Sequence, residues 1–160
     1  MRQPTRQRGF LTFAAGDLAL ARPGTARLVA GGGLALDQAL TSEPFAGERG
    51  DFIRASLLTR LRHCTSALCL YGASTAGDDW VRWGLEAAAE LRLPLLGAAL
   101  PGDPDHEAEG FLTRLGVDIV PLDRDIIVAR ACSMATRRVT RALDAATIAE
   151  TLHLMRHPLR

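Results

Sequence analysis

The sequence predicts an α/β domain with a five-stranded, mainly parallel sheet and helices on both of its faces. Two observations point there. Short apolar runs, residues 68–70 and 95–100 among them, are continuous rather than alternating, as strands buried on both faces require. Segments with helical spacing of apolar residues alternate with these runs. A third observation sets the organising centre. Residues 67–100 read as strand, polar loop, helix and strand, a complete βαβ unit. Such a unit brings a loop and a helix N-terminus to the carboxyl edge of the sheet, where open α/β folds bind ligands.

Taken in order, residues 9–15 form a short run with Phe10 and Phe13, read as the first strand and closed by Gly16-Asp17. Residues 18–30 have partial helical spacing, but Pro23-Gly24 predicts a broken or short helix. Gly31-Gly32-Gly33 lacks the spacing of a phosphate-binding loop and reads as a flexible connection. Residues 34–37 make a second strand. Residues 38–50, with Thr41, Ser42, Pro44 and two glycines, make a long loop of the kind that carries binding functions.

Asp51 is expected to cap the next helix, with Phe52, Ile53, Leu57, Leu58 and Leu61 inward and Arg54, Arg60 and Arg62 on a solvated face. Residues 67–72 are the central strand. The helix over 78–91 is capped by Asp78, alone or with Thr75, and both Asp78 and Asp79 complement its dipole. Residues 94–100 are the fourth strand, residues 101–104 a turn, 106–115 a short helix and 117–120 the fifth strand. Residues 123–144 and 145–155 read as helical. The alternation gives a flavodoxin-like, three-layer domain over residues 9–160, preceded by a flexible basic tail over residues 1–8.

The chain of 160 residues suits one domain and one substantial core. A net charge of +1 gives no whole-chain argument for nucleic acid, and no apolar run is long enough to span a membrane. The basic start leads into a strand-like run rather than the long apolar segment of a signal peptide. Cys64, Cys69 and Cys132 are odd in number and lack CxxC spacing, which argues against a disulfide scaffold or a metal site and for a reducing cytoplasm. His106, His153 and His157 are scattered. The absence of lysine argues against a phosphoacceptor receiver domain, which needs one.

Residues 72–88 carry a more specific signal. An apolar strand ends in Gly72, Thr75 lies in the following loop, and Trp80-Val81-Arg82-Trp83 opens the helix ahead of the apolar strand over 94–100. The opening Phe10-Leu-Thr-Phe-Ala-Ala-Gly-Asp17 and the helix over 52–62 stand in matching order. Over residues 9–100 this pattern resembles the bacterial TIR-like domain family, which includes the TIR-like proteins of Thoeris anti-phage defence. The resemblance implies a signalling or defence module with a site for NAD or a related nucleotide. It further implies assembly with copies of itself or with a TIR-type partner through loops such as 38–50. The residues it places at the nucleotide site are Phe13, Asp17, Ser74, Thr75, Trp80 and Gly84.

The resemblance also exposes a departure. The family's catalytic glutamate stands four residues after the first tryptophan of the motif, and here that position is Gly84. At about 100° per residue, Gly84 shares a helix face with Trp80, Ala87 and Ala88, and Glu86 points away from it. The expectation is therefore a degenerate module that binds without turnover. The alternative is an active NAD glycohydrolase or cyclase, or another enzyme of N-glycosidic bonds. The latter follows from analogy with the fold of nucleoside deoxyribosyltransferases. Either enzyme would use a carboxylate from elsewhere, Asp79 or Asp17, and neither reading implies a metal.

Overall fold

The structure, a computed structural model, describes residues 7–32, 34–38, 41–103 and 105–156. Most of the predicted basic tail lies outside these residues, as do Gly33, Pro104 and His157. The five strands are β1 (Gln7–Thr12), β2 (Leu34–Gln38), β3 (Ser66–Tyr71), β4 (Leu95–Ala99) and β5 (Asp118–Ile119). All pair in parallel, in the order β2-β1-β3-β4-β5. The helices are α1 (Leu18–Val29), α2 (Glu48–Leu61), α3 (Asp79–Glu90), α4 (His106–Arg114) and α5 (Arg124–Arg156). This is the predicted α/β class with a flavodoxin-like strand order.

Strand side chains alternate between two apolar layers. Phe10, Ala67, Cys69 and Tyr71 meet Leu57, Leu61, Val81, Leu85 and Leu112 of α2, α3 and α4. Leu11, Leu68, Leu70 and Leu96 meet Ala21, Leu28, Ile127 and Ala131 of α1 and α5. Both faces of β3 are covered, which is why its six residues are buried without interruption.

Several boundaries differ from the sequence reading. β1 begins at Gln7, so two residues assigned to the tail belong to the sheet. α1 runs unbroken through Pro23. The proline lacks the N–H that would bond the Ala19 carbonyl, but both residues are exposed, so water can serve that carbonyl. Arg124 closes the carboxyl end of α1 by donating to the carbonyls of Ala30 (2.6 Å) and Gly32 (2.7 Å). α2 starts three residues before Asp51, which bonds Arg54 rather than capping the helix. Phe52, expected inward, is 76% exposed. Residues 124–156 form one helix of 33 residues.

The strand order reverses at β1. The chain leaves β1 for β2 on one side, while β3, β4 and β5 follow on the other. The loops after β1 and β3 therefore leave toward opposite faces of the sheet, and the crevice position between them is the topological switch point at which such sheets bind ligands.

Candidate functional site

At this switch point the chain places a carboxylate. A single 3-10 turn (Ala15–Asp17) follows β1 and turns Asp17 inward, where it is only 4% exposed. The Ser74 N–H donates to Asp17 Oδ2 at 3.2 Å and Oδ1 at 3.3 Å. The Thr75 hydroxyl donates to Oδ2 at 3.4 Å and accepts from the Gly72 N–H at 2.8 Å. The loops after β1 and β3 are thus tied together through one acid. Gly72 makes the approach feasible, since a Cβ there would stand 3.0 Å from Asp17 Oδ2. Ala15, Gly16, Ala73 and Ser74 remain exposed at the mouth of the crevice.

Helix α3 begins beside this edge. Asp78 caps it, accepting from the Val81 N–H at 3.0 Å, so the cap is Asp78 alone while Thr75 serves the loop. Gly84 is buried against β1. A Cβ there would lie 3.4 Å from the Phe10 ring and 4.0 Å from Thr12 Oγ1. Asp79 and Glu86 are exposed. No carboxylate of α3 therefore shares the buried face on which Gly84 sits.

Trp80 has other partners. Its indole N–H donates to the Glu43 carbonyl at 2.8 Å, and its ring meets the edge of Phe45 at 4.9 Å between centroids. The Arg54 guanidinium stacks over Phe45 at 4.4 Å and donates to the Phe45 carbonyl at 2.5 Å. Gly50 lets this loop close on α2, because a Cβ there would overlap the Phe45 carbonyl oxygen. The segment 43–45 thus covers the tryptophan that opens α3. Trp83 packs edge-on to Trp80 at 6.5 Å and joins the α2–α4 core layer.

The residues named from the sequence accordingly fall into four places. Asp17, Ser74 and Thr75 converge at the switch point. Gly84 lies beneath them on the α3 side, and Trp80 lies under the 43–45 loop. Phe13 is buried in the apolar layer on the opposite face, with Leu11 and Leu70, and presents no surface to the crevice.

Sequence reasoning missed the engagement of Arg60, assigned to a solvated face, and of Arg8, assigned to the flexible tail. Arg60 donates through Nε to Asp37 Oδ1 at 2.7 Å, and Arg8 donates to Oδ2 at 3.1 Å. These bonds hold the Asp37 carboxyl below its ordinary range, the Arg60 hydrogen bond acting most strongly. The one legible signal was a charged residue, Asp37, at the end of an otherwise apolar strand. A second missed group lies at the end of β3, where the Tyr71 hydroxyl donates to Glu109 Oε1 at 3.1 Å. Burial, then this bond, pushes the phenol up to about 12. Burial likewise pushes the Cys69 thiol well above its ordinary value and Cys64 to about 11, so neither is a ready nucleophile.

Among the described residues, no group of three or more His, Cys, Asp or Glu side chains could hold a metal ion, and no helix is long and apolar enough to cross a membrane. The fold and this edge define a doubly wound α/β protein with its crevice between β1 and β3. No protein-family model matches the chain, and no curated protein matches its sequence.

Proposed function

We propose that the chain is a TIR-like signalling or defence module that holds NAD or a related nucleotide at the β1–β3 crevice without cleaving it. One observation carries this reading. The buried acid at that edge, Asp17, is committed to the Ser74 N–H and the Thr75 hydroxyl, while α3 turns Gly84 toward Phe10 and Thr12. Cleavage of a nicotinamide–ribosyl bond passes through a cation-like transition state, which a free carboxylate beside the ribose would stabilise. Binding asks for less. Residues 15, 16, 73 and 74 are exposed at this edge, the place where open α/β sheets receive phosphates and riboses. The three free thiols accord with a reducing cytoplasm as the place of action.

A second reading keeps the chemistry and rests on the position of Asp17. A carboxylate at the switch point could act on a bound ribose if the ligand displaced the Ser74 N–H from it.

The two readings separate in one experiment. The protein is titrated with NAD while its melting temperature is followed, and the NAD is then assayed by chromatography after long incubation. The binding reading expects a melting temperature that climbs with NAD, intact NAD throughout, and loss of the shift in Ala73→Arg, which fills the exposed mouth. Turnover abolished by Asp17→Asn would establish the second reading instead. No shift at the highest NAD concentration, together with NAD left intact, would overturn both.

A further inference from the structure

Helix α5 outruns the domain it packs on. Its 33 residues extend about 50 Å at 1.5 Å per residue. Ile127 and Ala131 are buried on the sheet and Met134 is half-buried, but every residue from 136 to 149 is exposed. That stretch nevertheless carries Val139, Leu143 and Ile148, each 60–63% exposed. Val139 and Ile148 are nine residues apart, which at about 100° per residue sets them on opposite sides of the helix. A helix with apolar residues on two sides is suited to a groove rather than a flat surface.

The same chain offers such a groove. Where α5 passes the beginning of β4, a cavity of about 780 Å³ opens between them. Leu93, Leu115 and Met134 contribute apolar surface, and Arg92, Arg137 and Arg141 contribute charge. No carboxylate lines it, and among the described residues none of these three arginines is in an ion pair. Arg138, also lining the groove, donates to the Leu91 carbonyl at 3.3 Å.

Charge along α5 says what fits. Residues 126–143 contain Arg137, Arg138 and Arg141, together with Arg130, which pairs with Asp118 at 3.3 Å, and no acid, whereas residues 144–156 contain Asp144 and Glu150 against a single arginine at the helix end, Arg156. Parallel pairing of two copies would set the basic block on the basic block. Antiparallel pairing sets each basic block on the partner's acidic block, twice, about a closing two-fold axis. We infer that α5 pairs antiparallel with α5 of a second copy, the distal half of each helix lying in the arginine-lined groove of the other. This surface lies at the amino edge of the sheet, away from the crevice, and does not depend on the proposed nucleotide site.

The test is the oligomeric state of the full chain by analytical ultracentrifugation. The expected result is a dimer that weakens as salt rises. The triple variant Arg137→Glu, Arg138→Glu, Arg141→Glu and the double variant Asp144→Arg, Glu150→Arg should each be monomeric, with the melting transition of the domain retained. Mixing the two variants should restore a heterodimer, which distinguishes lost pairing from lost folding. Orientation is read from nitroxide distances at position 136 in a Cys132→Ser background. Antiparallel helices hold the labels roughly 20–25 Å apart, given the 1.5 Å rise, and parallel helices hold them near 10 Å. A wild-type monomer at high micromolar concentration overturns the inference. So does a dimer that survives both charge reversals, or one with the labels close together.

Discussion

The Asp17 carboxylate receives the Ser74 N–H through both of its oxygens, at 3.2 and 3.3 Å, across 57 residues of sequence. This contact ties the loops that diverge from β1 and β3. Its loss should be felt in stability as well as in any binding at the crevice. Asp17→Ala is expected to cost about 2–3 kcal/mol, because a buried acceptor and its bonds to Ser74 and Thr75 disappear together. Asp17→Asn keeps one acceptor oxygen in place and should cost about 1 kcal/mol. Urea denaturation of the two variants measures both, and equal losses would contradict the arrangement.

Gly84 tests the packing beneath that edge. A Cβ added there meets the Phe10 ring at 3.4 Å, an ordinary contact, and alanine favours the helix over glycine by about 1 kcal/mol. Gly84→Ala should therefore be neutral or stabilising by up to about 1 kcal/mol. Gly84→Glu must place a carboxylate against Phe10 and Thr12 and should lose several-fold more than alanine gains. Thermal melts of the pair give the sign. A stabilised Gly84→Glu would mean that the helix turns this position toward solvent.

What the sequence made legible was whatever depends on neighbours in the chain. β3, α3 and β4 fall within a residue or so of their expected bounds, because a continuous apolar run, an Asp cap and an amphipathic repeat are local signals. α1 was expected to break because Pro23 is a local signal too, yet it runs through the proline, whose unbonded Ala19 carbonyl faces water. The site was legible only in part. Asp17, Ser74 and Thr75 could each be placed at a strand end, but their bonding spans 57 and 58 residues. The cover over Trp80 comes from Glu43, 37 residues away. Periodicity carries no information about such pairings, and Phe13 shows the same limit. An aromatic one residue past a strand fits either face, and packing sent it to the α1–α5 layer.

Trp80 holds the 43–45 loop through its indole N–H. Trp80→Phe keeps an aromatic ring against Phe45 but removes the bond to the Glu43 carbonyl. The expected loss is about 1 kcal/mol, concentrated locally. Amide hydrogen exchange should accelerate over residues 43–50, while β3 and β4 remain as protected as in the wild type. Unchanged protection of the loop would show that Phe45 and Arg54 hold it without the tryptophan.

Asp37 gives the chain a defined acid response. Its folded-state pKa lies below the ordinary value of 3.8, chiefly through the Arg60 hydrogen bond, with Arg8 adding to it against the cost of burial. A carboxyl depressed on folding contributes stability that is fully present above its unfolded pKa and is lost as pH falls through the folded one. Wild-type stability should therefore begin to fall near pH 4, where the unfolded chain takes up the proton that the folded chain resists. Asp37→Asn removes this dependence. It should be less stable than wild type by about 1–2 kcal/mol at neutral pH, a range kept modest because Arg8 and Arg60 are partly solvent-screened. The gap should begin to narrow near pH 4 and close only once the pH has fallen through the lowered folded-state pKa, where the folded wild-type carboxyl is protonated as well. Denaturation midpoints of both proteins from pH 7 to pH 3 decide the matter. Parallel curves across that range would mean that the Arg60–Asp37–Arg8 group joins β1, β2 and α2 by shape alone.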